Sequence, residues 1–153
     1  LSPEIFSKLV SILAKYYDSI LIDCPAGVGN GFLAAMECAD NALLVATPNP
    51  ISVANVKKAS GILSENGVGE LRLVINRFDK KLFKKSHIYN DLDQVIDKAG
   101  VRLIAIIPED SYSALSLSGG DMPSESSSMM KAIHRLSERL EGRKVPLPSL
   151  RKL

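Results

Sequence analysis

The sequence predicts an α/β protein with three layers, in which helices cover both faces of a doubly wound, mainly parallel sheet. Four short apolar runs are nearly continuous rather than alternating, which is typical of strands covered on both faces. Helical patterns fill the intervals, and the resulting order α-β-α-β-α-β-α-β-α favours right-handed crossovers. With 153 residues, of which 46% are apolar and 24% charged, the composition suits one globular domain.

Each element has its own signal. The predicted strands are residues 19–23, 41–47, 71–76 and 102–108. The first helix has apolar residues at helical spacing up to Tyr16, with Ser2 as its cap and Pro3 in its first turn. The second helix covers residues 31–39, and the third is capped by Ser52 and ends near Asn66.

The carboxy-terminal part of the chain predicts two more helices and a tail. One helix carries Leu92 and ends at Gly100, and the last runs from Met129 to Leu140. Residues 116–128 are polar and loop-like, and residues 142–153, with two prolines and four basic residues, predict a poorly ordered tail. We therefore expect a domain over residues 1–141.

Composition and charge exclude several classes of protein. A net charge of +2 is too small to indicate nucleic-acid binding. Cys24 and Cys38 have no metal-site spacing and fit free thiols in a reducing cytoplasm. No apolar run reaches the roughly 18 residues of a membrane span, and no signal peptide is visible. Because the chain does not begin with Met, we expect a fragment or a processed product.

Polar or conformationally special residues follow every predicted strand. Asp23 follows the first strand, Thr47 and Pro48 the second, Asn76 and Arg77 the third, while residues 108–110 (Pro-Glu-Asp) end the fourth. Ligands of open α/β sheets bind beyond the carboxyl ends of the strands, so these residues form a candidate site.

Each candidate residue also has a structural interpretation. Asp23 could serve a turn or could accompany Mg²⁺, which needs only one or two carboxylates when phosphates are present. Asn76 could end a strand or read a purine edge, and Arg77 could stack on the ring or lie in solvent. Glu109 and Asp110 could open a helix.

Other reactive side chains predict no catalytic centre. His87 and His134 lack neighbouring ligand residues in the sequence, and the serines show no spacing to a base. Cys24 has no adjacent cation that would lower its pKa, so it is not predicted to be a nucleophile.

The motifs, taken together and in order, resemble the MinD branch of the MinD/ParA ATPases, which are deviant P-loop ATPases. The resemblance rests on YDSILIDCPAGVGNGF, ADNALLVATPNPISV, LVINRF, IIPED, SGGDMP and ERLEGRKVPLPSL. It implies a P-loop NTPase fold, ATP and Mg²⁺ as ligands, a homodimer, and a role in spatial positioning such as division-site selection.

The resemblance also implies roles for single residues. Asp23 would hold Mg²⁺, mostly through water, and Pro25, Ala26 and Gly27 would sense the terminal phosphate. Asn76 would bind the adenine edge with Arg77 beside the base. The far side of the base pocket would be formed by Pro108, Glu109 and Asp110.

The family's Gly-rich loop with two lysines does not occur in these 153 residues. Such a loop cradles the phosphates with backbone N–H groups. The resemblance is therefore to a carboxy-terminal part, which lacks the P-loop strand, and the chain alone is expected not to hydrolyse ATP. In the family that strand lies between the first two strands predicted here, so we expect this segment to be unstable alone unless the gap is filled or closed.

The partner surface departs from the family pattern. Residues 48–55 (PNPISVAN) lack the acidic residue and the Arg-Asp pair that are typical of MinD proteins. We expect a cytoplasmic protein that reaches the inner face of the cell membrane only through a tail beyond Leu153, with division regulators as partners and no direct nucleic-acid binding. The alternatives are a relative for flagellar placement, chromosome partition or metallocentre maturation, or a non-enzymatic α/β interaction module.

Overall fold

The computed structural model describes residues 2–25 and 27–148. In this part of the chain, three strands and seven helices follow one another in the order α1 (Pro3–Leu13), α2 (Asn30–Met36), β1 (Ala42–Ala46), α3 (Pro50–Glu65), β2 (Leu71–Phe78), α4 (Lys80–Ser86), α5 (Leu92–Ala99), β3 (Leu103–Pro108), α6 (Ser111–Ser118) and α7 (Ser128–Leu140).

The sheet is parallel, with the order β1-β2-β3. On one face, Leu73 and Ile75 of β2 belong to a core cluster that includes Val53 of α3 and Val95 of α5. On the opposite face, Val74 packs in a second cluster with residues of β3 and α7. Helices thus cover both faces, and the predicted α/β fold is confirmed.

The predicted strand over residues 19–23 is wrong for this chain. The segment is extended but pairs with no strand among the described residues, and Leu21 is 88% exposed. In the described part of the chain β1 has β2 as its one neighbour, so the second edge of β1 is open there. A parallel strand needs a partner ladder, and this segment does not pair with the open edge of β1 in the described part of the chain.

The five predicted helices are confirmed as α1, α2, α3, α5 and α7, with one change of cap. The N-cap of α3 is Asn49 rather than Ser52, because the Asn49 side chain accepts a hydrogen bond from the Ser52 backbone N–H at 2.9 Å. Gly100, which ends α5, has the left-handed φ of 68° that the helix terminus requires.

Two short helices were not among the predicted elements, although the sequence left open that Glu109 and Asp110 begin a helix. The segment of α4 is rich in lysine and carries only two large apolar residues, while that of α6 is rich in serine, which is typical of loops. Both begin at an aspartate, Asp79 and Asp110, whose carboxylate accepts backbone N–H groups of the first turn. Local capping therefore stabilises helices that the apolar pattern does not reveal.

Part of the apolar surface has no cover among the described residues. Leu43 and Val45 of β1 point away from the main core and are exposed, while their neighbours Leu44 and Ala46 are buried. Helix α1 is amphipathic but has no buried residue. No helix in the described part of the chain has the length and apolar character needed to cross a bilayer.

The start of the predicted tail is attached to the sheet through Arg139 of α7. Its guanidinium donates hydrogen bonds of 2.8–2.9 Å to the backbone carbonyls of Ile104, Val145 and Pro146. These three hydrogen bonds, called here the Arg139 fork, join α7, the edge strand β3 and the segment that follows α7. The poorly ordered tail stays a prediction, and its last five residues, 149–153, lie outside the described residues.

We expect Arg139→Lys to lower the free energy of unfolding by about 1–3 kcal/mol, because an ammonium cannot replace three divergent donors. The matched control is Arg135→Lys, at an exposed position one turn earlier. Urea unfolding of both variants measures the difference. Equal losses in the two variants would contradict a structural role for the Arg139 fork.

Candidate functional site

The candidate site centres on a kink near the end of β2. The strand continues past its predicted end at Asn76 to Phe78, but its pairing with β3 is irregular between Ile75 and Phe78. Within this irregularity Arg77 has a φ of 54°, a left-handed conformation that costs a non-glycine residue about 1–2 kcal/mol. Strain of this kind is concentrated at functional sites, which makes the kink a candidate.

Asn76 supports the kink with its own side chain. Its Oδ1 accepts a hydrogen bond from the backbone N–H of Arg77 at 3.0 Å. The side chain is half-buried. Its amide nitrogen has no hydrogen-bond partner among the described residues, so a donor group is left for a ligand.

Arg77 and Glu109 connect the ends of β2 and β3. The Nε of Arg77 donates to Oε2 of Glu109 at 2.8 Å, and the backbone N–H of Glu109 donates to the carbonyl of Phe78 at 3.0 Å. The hydrogen bond to Glu109, followed by the attraction of its charge, raises the pKa of Arg77. The two strand ends that the sequence predicted to form one site are therefore in direct contact.

Asp110 joins the first turns of two helices. Its Oδ1 accepts the backbone N–H of Ser113 in α6, and its Oδ2 accepts the hydroxyl of Ser128 in α7, both at 3.1 Å. The bond from the Ser113 backbone contributes most to holding the pKa of Asp110 below its usual range; burial opposes this shift and the Ser128 hydroxyl supports it. The Asp110 carboxylate thus connects the first turns of α6 and α7, while Glu109 lies at the end of β3.

The Asp110 contacts predict a pH dependence of stability. A depressed folded-state pKa stabilises the fold above the usual pKa of aspartate, and this stabilisation is lost as the pH falls through the folded pKa. We expect the free energy of unfolding of Asp110→Asn to fall less steeply between about pH 5 and pH 3 than that of the parent. Thermal unfolding across this range is the measurement, with Asp18→Asn as control. Equal slopes in the parent and Asp110→Asn would contradict the assignment.

The segment around Asp23 lies apart from the sheet. Asp23 is exposed, and its carboxylate makes no hydrogen bond or ion pair with the described residues. A Cβ atom on Gly31 would lie 2.8 Å from Cγ of Pro25, so a glycine in α2 allows Pro25 to approach closely. Gly27 has a left-handed φ of 93°, which favours glycine in the turn before α2. Ala26 lies outside the described residues.

Cys24 is not an activated thiol. Burial, followed by the negative charge of Asp23, raises the pKa of the Cys24 thiol, so the reactive thiolate is disfavoured at neutral pH. This agrees with the interpretation that the sequence contains no nucleophilic cysteine at this position. Cys38 is also a free thiol.

The residues present fit a water-mediated magnesium site only in part. Among the described residues, no group of three or more His, Cys, Asp or Glu side chains is placed to hold a metal ion. The uncommitted carboxylate of Asp23 suits Mg²⁺ that keeps most of its waters. The remaining ligands would have to come from the phosphates of a nucleotide, so the metal and the nucleotide would bind together.

Sequence reasoning missed one feature next to this site. Lysines of α4 and basic residues of α7 line a groove that also includes Pro108 and Glu109. The run DKKLFKKS, residues 79–86, was the available signal, but the positions of its charges depend on α4, which was not predicted.

Comparisons with known proteins give consistent results. No protein-family model matches the chain. The septum site-determining protein MinD of Synechocystis is 30% identical over 149 residues, which are 95% of this chain and 56% of that protein. The chain therefore spans little more than half the length of this curated relative.

Two solved structures overlap the fold closely. A chain of the MinC:MinD cell division protein complex of Aquifex aeolicus has a TM-score of 0.87 and 27% identity, and the overlap covers 97% of this chain and 62% of that one. The septum site-determining protein MinD of Pyrococcus horikoshii, complexed with Mg-ADP, has a TM-score of 0.78 and 26% identity, covering 94% of this chain and 60% of its own.

Proposed function

The chain belongs to the MinD branch of the MinD/ParA ATPase family as a carboxy-terminal part, and we propose that the intact protein binds and hydrolyses ATP·Mg²⁺ and helps to select the division site. By the intact protein we mean this chain together with the part of its relatives that it does not cover. The observation that carries the proposal is the joined strand end of Asn76, Arg77 and Glu109, in a fold that overlaps a MinD protein bound to Mg-ADP.

The proposed roles follow the chemistry of each residue. The amide nitrogen of Asn76, which lacks a partner in the described chain, donates to the adenine edge, with Arg77 beside the base and residues 108–110 on its far side. Asp23 holds Mg²⁺ through water. Pro25, Ala26 and Gly27 sense the terminal phosphate. A phosphate-binding loop from outside these 153 residues supplies the opposite wall.

The uncovered apolar surface supports this division of the site between two parts. Leu43 and Val45 expose apolar area beside the open edge of β1, and Leu21 is exposed in the unpaired segment before it. An open strand edge and an adjoining apolar surface are both costly in water. We propose that the rest of the intact domain adds a strand at this edge and covers these side chains.

The proposal extends to partners and location. One overlapping structure is a MinC:MinD complex, which supports a division regulator as partner. We propose a homodimer as the working form of the intact protein. The departures over residues 48–55 give this chain a partner surface of its own. We place the intact protein in the cytoplasm, at the inner face of the cell membrane when it is bound there.

Equilibrium titration with a fluorescent ATP analogue tests the proposal on the intact protein. We expect saturable, Mg²⁺-dependent binding, and an about tenfold weaker affinity for Asn76→Ala because a hydrogen-bond donor to the base is lost. Asn55→Ala, on the exposed side of α3, is the control and should bind normally. Absence of Mg²⁺-dependent binding would instead favour an interaction module without nucleotide chemistry.

A further inference from the structure

A groove with a volume of about 850 Å³ lies between α4 and α7. Its apolar lining includes Phe78 and Ile106 of the sheet and Ala132 of α7, all of them buried. Helix α4 carries Lys80, Lys81 and Lys84 on one side. The groove thus has an apolar floor formed largely by the sheet, with cationic side chains of α4 along one side.

Positive charge is concentrated in this groove. Six lining residues are cationic, namely Lys80, Lys81, Lys84, Lys131, Arg135 and Arg139, whereas two are acidic, Asp79 and Glu109. The whole chain has a net charge of only +2, so the groove carries more positive charge than the molecule as a whole. A concave surface lined with one sign of charge attracts the opposite charge strongly.

The acidic residues of the groove are already engaged. Glu109 accepts the guanidinium of Arg77, and Asp79 accepts the backbone N–H groups of Lys81 and Leu82 at the start of α4. Arg139 donates to three carbonyls. The other five cations make no ion pair with the described residues, which leaves their charges available to a ligand.

The chemistry of the groove favours a phosphate-bearing anion. Several lysines act as point charges that match a compact ligand with more than one negative charge, and Arg135 adds a planar donor for phosphate oxygens. Among the described lining residues, the one aromatic side chain, Phe78, is buried, so no stacking surface for the bases of a single-stranded nucleic acid is offered.

We propose that the groove between α4 and α7 binds a compact phosphate anion, either a free oligophosphate or the phosphate headgroup of a lipid. The site goes beyond the proposed ATPase function, because none of its unpaired cations belongs to the residues assigned to ATP. Of the residues that line the groove, only Pro108 and Glu109 also belong to the proposed base pocket.

Equilibrium dialysis of labelled pyrophosphate with the intact protein, whose nucleotide site is saturated with ADP and Mg²⁺, tests the proposal. The groove variant Lys84→Gln/Lys131→Gln removes one cation from each helix, and Lys85→Gln/Lys58→Gln removes the same charge at exposed positions that do not line the groove. We expect saturable binding that weakens at least about tenfold in the groove variant and less than about twofold in the control. Raising the salt concentration should also weaken it.

A second arm identifies the source of the phosphate. Vesicles of phosphatidylglycerol in phosphatidylcholine are pelleted with the parent and both variants. Co-pelleting lost only in the groove variant supports a lipid headgroup, whereas pyrophosphate binding without co-pelleting supports a free oligophosphate. The proposal is overturned when neither probe binds, or when the groove and control variants bind equally. Because no ATP-site residue is changed, this result is independent of the test of ATP binding.

Discussion

An Asp23→Asn variant of the intact protein is expected to hydrolyse ATP about 10- to 100-fold more slowly than the parent, the usual cost of losing a group that orients the waters of a metal ion. The amide keeps the size of the side chain but removes the negative charge that favours Mg²⁺ beside the phosphates. Since the Asp23 carboxylate makes no structural contact with the described residues, stability should stay nearly unchanged.

The control for this prediction is Asp18→Asn, which removes a carboxylate five residues earlier at an exposed position. Steady-state turnover at several Mg²⁺ concentrations is the measurement, and added Mg²⁺ should restore part of the rate in Asp23→Asn. Parent-like turnover in Asp23→Asn would contradict the metal role of this carboxylate.

Leu73→Ala is expected to lower the free energy of unfolding by about 2–5 kcal/mol, which is the typical cost of truncating a fully buried leucine. Leu73 lies in the central strand β2 with 0% of its surface exposed, between residues of α3 and α5 in the main core. This loss is a large share of the about 5–15 kcal/mol that stabilises a typical domain.

Leu82→Ala provides the matched control on α4. Leu82 is 64% exposed, so its truncation should cost well under half as much as that of Leu73. Chemical unfolding of both variants measures the difference. Equal losses would mean that the core does not lie on the face of the sheet assigned to it.

The sequence predicted the strands whose partners lie within the chain. Residues of β1, β2 and β3 read as continuous apolar runs because each has a neighbouring ladder and helices over at least one face. The run over residues 19–23 has the same pattern but pairs with no strand in the described part of the chain. An apolar pattern shows that a segment is able to form a buried strand, whereas its pairing depends on which strands lie next to it.

The candidate site was predictable in part. The ends of β2 and β3 were expected to meet because parallel strands end at one edge, and the structure brings Arg77 and Glu109 together. The left-handed conformation of Arg77 was not predictable, because it arises from irregular pairing with β3. The groove depends on α4, whose helix is set by the Asp79 cap rather than by an apolar pattern.

ATP turnover of this chain with and without an amino-terminal partner tests the central claim most directly. The 153-residue chain is compared with the same chain joined, in one polypeptide, to the part of Synechocystis MinD that it does not cover. The account predicts no turnover by the chain alone and Mg²⁺-dependent turnover by the joined protein. Turnover by the chain alone, or none by a joined protein that folds cooperatively, would contradict it.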